Sequence, residues 1–215
     1  MIVLELGKRA LDLIETKDIT AVVLCGGEGS RFGPFEKPLA QFTKAGTTAA
    51  MVDHVLWTLP ENLPRLISAN KCQGDYATRG QVVGDEALAD ARGPLLGVFS
   101  AMNVVSSRWI LVCPGDMPLL PQGWYQPLLE NVADAETSRV LHDGRRLQPL
   151  LCLIPTWLAE DLRNYLRDGG MSVQQWHSRV NATEILASVA NEDAASGFDN
   201  INTQQALERL SDTQR

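Results

Sequence analysis

Apolar and polar positions alternate in short blocks along this chain. Ile19-Thr20-Ala21-Val22-Val23-Leu24-Cys25 is a continuous apolar, β-branched run, the pattern of a strand covered on both faces. Upstream, Val3, Leu4, Leu6, Ala10, Leu11, Leu13 and Ile14 recur near helical spacing. They predict an amphipathic helix over 2–16, so residues 1–18 read as a helical extension and 19–215 as one domain. Beyond the first strand the pattern predicts a helix from about Thr48 to Leu59, strands at Leu63-Ser68, Gln81-Val83 and Arg108-Cys113, and a helix at Pro94-Val105. Such alternation implies parallel strands joined by crossover helices. Ser138-His142 and Arg145-Ile154 flank Asp143-Gly144, a dipeptide that readily supplies the positive φ angles of a tight hairpin turn, so an antiparallel insertion is expected there. Helices at Thr156-Arg167 and Ser172-Val180, a strand at Thr183-Val189 and a helix at Thr203-Leu210 complete the pattern.

Composition narrows the chemistry. With 215 residues, 45% hydrophobic and 21% charged, the chain can bury a core without metal or disulfide staples. Nineteen basic against 26 acidic side chains give a net charge of −7, the wrong sign for a nonspecific grip on nucleic acid or anionic lipid. An anionic ligand must therefore be held by a local positive site. No apolar stretch approaches the roughly 20 residues of a membrane crossing. Glu5 precedes Lys8 and Arg9 and no apolar block follows, so a secretory signal is not expected and the cytoplasm is the expected compartment. Cys25, Cys72, Cys113 and Cys152 form no C-x-x-C pair, and three of them fall in apolar runs, so buried thiols are the expected reading. His54, His142 and His177 have no Ser or Cys partner in a nucleophile motif and are assigned to packing or surface. Trp57, Trp157 and Trp176 are expected to bury apolar area, and Asp161-Arg167 to be a solvated helix face.

The informative segment is Leu24-Cys25-Gly26-Gly27-Glu28-Gly29-Ser30-Arg31-Phe32-Gly33-Pro34-Phe35-Glu36-Lys37-Pro38, directly after the first strand. In an open α/β sheet, ligands bind at the carboxyl ends of strands. Glycines let backbone amides approach a phosphate chain closely, and Arg31 and Lys37 add full positive charges, which together describe a triphosphate cradle. Two better-known glycine loops do not fit. The dinucleotide fingerprint starting at Gly27 would need glycine where Phe32 stands, and a Walker A loop needs Gly-Lys-Ser/Thr where the chain has Glu36-Lys37-Pro38.

The spacing L-x-G-G-x-x-x-R-F-G-x-x-x-K resembles the signature of nucleotidyltransferases that activate a phosphorylated partner with an NTP. Within that superfamily, four blocks in order resemble molybdenum cofactor guanylyltransferase over roughly residues 19–210. They are the glycine loop; Asp85 followed by Gly93-Pro94-Leu95-Leu96-Gly97; Cys113-Pro114-Gly115-Asp116-Met117-Pro118; and Asn200-Ile201-Asn202-Thr203. The resemblance implies a three-layer α/β sandwich, a predominantly parallel Rossmann-like sheet with a small antiparallel part. It implies transfer of GMP from GTP to the terminal phosphate of molybdopterin or Mo-molybdopterin with release of pyrophosphate. Molybdenum-insertion proteins and client molybdoenzymes are the implied protein partners.

The same resemblance implies the site. Leu24, Cys25, Gly26 and Gly27 meet the nucleotide, with Cys25 where the family usually has alanine, and Arg31 and Lys37 neutralise its phosphates. Asp116, in a turn after a strand, holds Mg²⁺, which favours one or two carboxylates plus phosphate oxygens and water. Asp85 lies near the nucleoside, where a carboxylate can accept from the guanine N1 and N2 donors or from ribose hydroxyls. Gly93 belongs to the same nucleotide site, and Ser68 stands where members commonly carry asparagine. Asn200 and Asn202 alternate along an extended segment, so both amides face one way. They suit a pterin or its phosphate, or else a loop lock and a helix cap. Gly26-Gly27 and Asn200-Ile201-Asn202 favour guanylyl over cytidylyl transfer, in which relatives carry Ala-Gly at the first position. A sugar-phosphate nucleotidyltransferase of the same fold and a noncatalytic GTP-binding adaptor are the remaining alternatives.

Overall fold

The computed structural model describes residues 16–26, 36–88, 90–130, 137–187 and 196–198. Expectations for the helix at 2–16, Gly27, Arg31, Asn200, Asn202 and the helix at Thr203-Leu210 lie outside these residues. After a 3-10 turn at Thr16–Asp18, the first strand, β1 (Ile19–Leu24), is buried at every position. It is flanked in parallel by β4 (Arg65–Ser68) and β6 (Trp109–Pro114), and β4 by β5 (Gln81–Val83). β8 (Leu147–Pro155) pairs antiparallel with both β6 and β7 (Arg139–His142), and β7 pairs in parallel with β9 (Thr183–Leu186). The seven-stranded sheet has the order β5-β4-β1-β6-β8-β7-β9. β8 alone runs against the rest.

Alternation along β1 and β6 explains the three layers. Ile19, Ala21, Val23, Leu111 and Cys113 face one core with Val52 and Val55 of α1 (Met51–Leu56) and Tyr76 of α2 (Gln73–Tyr76). Val22, Leu24, Ile110 and Val112 face the other, with Leu95 and Phe99 of α3 (Pro94–Val104). That second core is completed by Leu162 and Leu166 of α5 (Ala159–Arg167) and Trp176 of α6 (Val173–Arg179). A short helix, α4 (Gln126–Leu129), buries Leu128 in the first core. Each buried Val, Leu, Ile or Phe among them contributes about 1.5–3 kcal/mol relative to exposure, which is why these strands are apolar at consecutive positions. No helix among the described residues is long and apolar enough to cross a membrane.

Several local expectations change. The helix expected from Thr48 begins at Met51, because Thr47–Ala50 is a strand, β3, paired antiparallel with β2 (Gln41–Lys44). Their turn is Ala45-Gly46, with φ of 51° and 76°, so an alanine occupies a left-handed position usually filled by Asn, Asp or Gly. Trp176 is buried as expected, whereas Trp57 and Trp157 are 52% and 61% exposed because they sit at the end of α1 and in a 3-10 turn, off the helices' buried stripes. Asp161 is not simply solvated: it accepts from Trp176 Nε1 at 3.0 Å and Arg179 Nε at 3.1 Å, tying α5 to α6.

The β7–β8 hairpin forms, but Asp143 acts through its carboxylate rather than through a positive φ, which only Gly144 adopts. Asp143 accepts from the Arg145 and Arg146 amides at 2.7 Å each and from Gln148 Nε2 at 2.6 Å. Burial pushes its pKa up, but the Arg146 amide, Gln148 and the Arg145 amide outweigh that and hold it below the usual range. A carboxylate depressed in the fold contributes stability above its unfolded value of about 3.9 and loses it as pH falls through the folded value. Asp143→Asn is therefore expected to lower stability by on the order of 1 kcal/mol at neutral pH. Melting curves should show its Tm gap to the wild type narrowing below about pH 4, near that unfolded value; a gap constant from neutral to acid pH contradicts this role.

Candidate active site

Because β5, β4, β1 and β6 are parallel, their carboxyl ends share one edge of the sheet. The ladder continues just past them: the Cys25 amide donates to Ser68 O at 2.8 Å, Ala69 to Val83 O at 2.9 Å, and Gly115 to Leu24 O at 2.9 Å. Cys25-Gly26, Asn70, Gly84-Asp85 and Gly115-Asp116 thus leave the sheet side by side. Residues far apart in sequence meet here for a reason of topology rather than of local motif.

Lys37 opens a 3-10 turn, Lys37–Leu39, whose Pro38 is buried. Its ammonium donates to Asp116 Oδ2 in a salt bridge spanning 79 positions of sequence. The two side chains are 15% and 17% exposed, so salt screens this pair less than a surface pair. Gly115 permits the approach. A Cβ there would lie 2.6 Å from Cys25 Sγ, 3.3 Å from Pro38 Cβ and 3.4 Å from Leu24 O. On the other side of the Asp116 turn, Lys44 at the end of β2 donates to Pro118 O at 3.1 Å and Leu120 O at 3.4 Å. Burial lowers the Lys44 pKa. The β2–β3 hairpin is thereby strapped to the segment that carries Asp116.

Cys25 is buried, and burial, with Cys113 and Asp116 nearby adding to it, raises its pKa well above the thiol range. Burial likewise pushes Cys113 up to about 12. These neutral thiols are not nucleophiles; Cys152 is buried too, as expected for cysteines in apolar runs, and Cys72 alone of the four is exposed. His54 and His177 are buried and donate through Nε2 to Phe42 O and Pro149 O, both at 2.9 Å, so they serve packing.

Asp85 emerges exposed after β5. Asn70 Nδ2 donates to its Oδ2 at 2.7 Å, and the Asp85 amide donates to Asn70 Oδ1 at 2.7 Å. Gly93, at φ 86°, turns the chain into α3, with Pro94 at its first position. Ser68 is buried on the α3 side, where a Cβ on Gly97 would collide with its Oγ. Leu24, Cys25, Gly26, Lys37, Ser68, Asp85 and Asp116 are thus brought to one edge, while Gly27, Arg31, Asn200 and Asn202 lie outside the described residues. Sequence reading missed Asn70 and Lys44. Asn70 had a signal, an amide two positions beyond Ser68 and just past the strand end; Lys44 had none, because its partners are backbone carbonyls.

A family model for the MobA-like NTP transferase domain matches residues 21–182. The chain belongs to that family. Among curated relatives, the molybdenum cofactor guanylyltransferase of Ralstonia pickettii is 31% identical over 211 residues, covering 93% of this chain and 99% of that protein. The molybdenum cofactor guanylyltransferase of Cupriavidus pinatubonensis is 34% identical over 203 residues, covering 91% and 97%. Among solved structures, molybdopterin-guanine dinucleotide biosynthesis protein A from Archaeoglobus fulgidus superposes with a TM-score of 0.70 at 19% identity, covering 90% of this chain and 97% of that one. A nucleotidyl transferase from Methanothermobacter superposes with a TM-score of 0.63 at 18% identity, covering 91% and 96%. These structural likenesses share the fold expected from the sequence. As a member of the MobA-like family, the protein is a nucleotidyltransferase.

Proposed function

We propose that this nucleotidyltransferase transfers GMP from GTP to the terminal phosphate of molybdopterin or its molybdenum form and releases pyrophosphate. The observation that carries this reading is the Lys37–Asp116 pair at the carboxyl edge beside Gly26, a cation and a carboxylate set where a nucleotide's phosphates would lie. The names of the relatives supply the acceptor.

An oxygen of the acceptor phosphate attacks the α-phosphorus of GTP, a new P–O bond forms, and the bond to the β-phosphate oxygen breaks, with pyrophosphate taking the electron pair. The acceptor is already an anion, so no deep general base is needed. The barrier lies in bringing two anions together and stabilising the equatorial charge, which positioning and cations address. Lys37 holds charge against the phosphates, the Gly26 amide and its glycine neighbours guide the chain, and Arg31 adds the second cation. Asp85, Gly93 and Ser68 border the nucleoside, while Asn200 and Asn202 take the pterin side.

The residues fit Mg²⁺. Among the described residues no three His, Cys, Asp or Glu side chains cluster as a metal cage. Asp116 is a single carboxylate among prospective phosphates, the donor set of a Mg²⁺ site completed by substrate and water. When bound, the ion would neutralise phosphate charge as in other phosphoryl transfers. A cytoplasmic site of action accords with this reading.

The test supplies each NTP in turn with Mg²⁺ and molybdopterin and measures pyrophosphate together with the mass of the pterin product. GTP should release pyrophosphate and add GMP to the pterin. A CMP product would make the enzyme a cytidylyltransferase, and binding of GTP without pyrophosphate an adaptor. Asn202→Ala is expected to weaken pterin binding about tenfold or more, roughly the loss of one good hydrogen bond, with GTP affinity intact. Calorimetry showing impaired GTP binding instead would move Asn202 to the nucleotide side.

A further inference from the structure

We propose that Asn70 is a positioning residue for nucleoside recognition, clamping Asp85 so that the carboxylate meets the ribose or base of the bound NTP in one fixed orientation. The inference rests on the guanylyl-transfer reading and deepens it. An ionised carboxylate only accepts and a backbone amide only donates, so a partner that satisfies both must carry a donor and an acceptor on one short side chain. Asn70 does this with two contacts of 2.7 Å, Nδ2 to Asp85 Oδ2 and the Asp85 amide to Oδ1. One rotation of the Asn70 amide would break both bonds at once, so the clamp also fixes the amide itself.

The clamp sits where a nucleoside would pass. Asn70 follows β4, the strand between β1 and β5, and so lies between Gly26 and Asp85. A Cβ on Gly26 would stand 3.9 Å from Asn70 Nδ2, and one on Gly84 would stand 3.5 Å from Asn70 Oδ1. The far side of Asp85 is bounded by α3, since a Cβ on Gly97 would stand 3.4 Å from Oδ1. With Oδ2 committed to Asn70, Oδ1 is the oxygen whose direction the clamp sets for a hydroxyl or ring N–H donor. Both residues are exposed, and a solvent-facing bond of this kind contributes little to stability. Preorganising an acceptor is the role that remains.

The experiment measures GTP and acceptor KM, kcat and melting temperature for wild type, Asn70→Ala, Asn70→Asp, Asp85→Ala and the Asn70→Ala/Asp85→Ala double variant. Asn70→Ala should raise KM for GTP about tenfold, leave kcat within about twofold and leave the acceptor KM unchanged, with Tm near wild type. Asn70→Asp keeps the shape but sets a second carboxylate against Asp85, so it should be worse than alanine. In the Asp85→Ala background, Asn70→Ala should add nothing, the signature of a residue acting through another. A wild-type GTP KM in Asn70→Ala, equal effects of Ala and Asp, or full additivity in the double variant each overturn the proposal. If the wild type uses another NTP and the same pattern appears with that NTP, the clamp stands and the guanylyl reading falls.

Discussion

Alanine at Lys37 or at Asp116 is expected to lower turnover at least about a hundredfold, equivalent to about 2.7 kcal/mol of transition-state stabilisation. The two residues are one device: a salt bridge between the turn after the glycine loop and the turn after β6, held mostly away from solvent. Removing Lys37 would take a cation from the proposed phosphate site and leave Asp116 without that partner. Removing Asp116 takes away the carboxylate on which a divalent ion would rest and lets Lys37 move. Because the effect is on charge that develops in the transition state, kcat should fall more than GTP affinity. Near-normal steady-state rates in both folded variants would refute the assignment. An effect confined to KM would reduce the pair to a binding device.

Gly115→Ala should have the next largest effect. The added Cβ would lie 2.6 Å from Cys25 Sγ and 3.3 Å from Pro38 Cβ, in a wall where both neighbours are buried. Cysteine has one side-chain torsion and little room to turn, so the strain passes to Pro38 and thence to Lys37. Overpacking of this kind costs about 1–3 kcal/mol of stability. Turnover should fall about tenfold or more, in line with the sensitivity of catalysis to small misplacements. Pairing it with Cys25→Ala removes the closest obstacle. The double variant should recover most of the lost melting temperature and part of the rate. A single variant with wild-type Tm and kcat would show that this close packing does not set the Lys37–Asp116 geometry.

Much of the framework was legible because one physical pattern marks it. β1 and β6 are buried on both faces, and their residues are apolar at consecutive positions, so Ile19–Leu24 and Trp109–Pro114 announce themselves. The β2–β3 hairpin did not. Its strands are short and largely polar, with Phe42 its one deeply buried large side chain, and its turn uses alanine at φ 51° where sequence rules look for Asn or Asp. From Thr48 to Ala50 the sequence reads as part of the following helix, because alanines and threonines carry no period of their own.

The site divides in the same way. Lys37 and Asp116 stand out as chemistry at strand ends, but their meeting across 79 positions depends on β1 and β6 being neighbours, which no local window contains. The Asn70–Asp85 clamp depends on the β4–β5 register, with Ser68 opposite Val83. Along the chain Ser68 is the last residue of its strand, and its side chain is buried beside Gly97 of α3, whereas Asn70 reaches Asp85 only through the pairing of the two strands.

The most direct measurement is a crystal structure of the protein with GTP and Mg²⁺. The triphosphate should lie at the carboxyl edge between β1 and β6, within hydrogen-bond reach of the Gly26 amide and Lys37, with the metal on Asp116 and the nucleoside toward Asp85. A nucleotide bound elsewhere, for example in the cavity of about 310 Å³ bounded by Phe99, Asn103, Arg163 and Arg167, with Lys37 and Asp116 untouched, would contradict it.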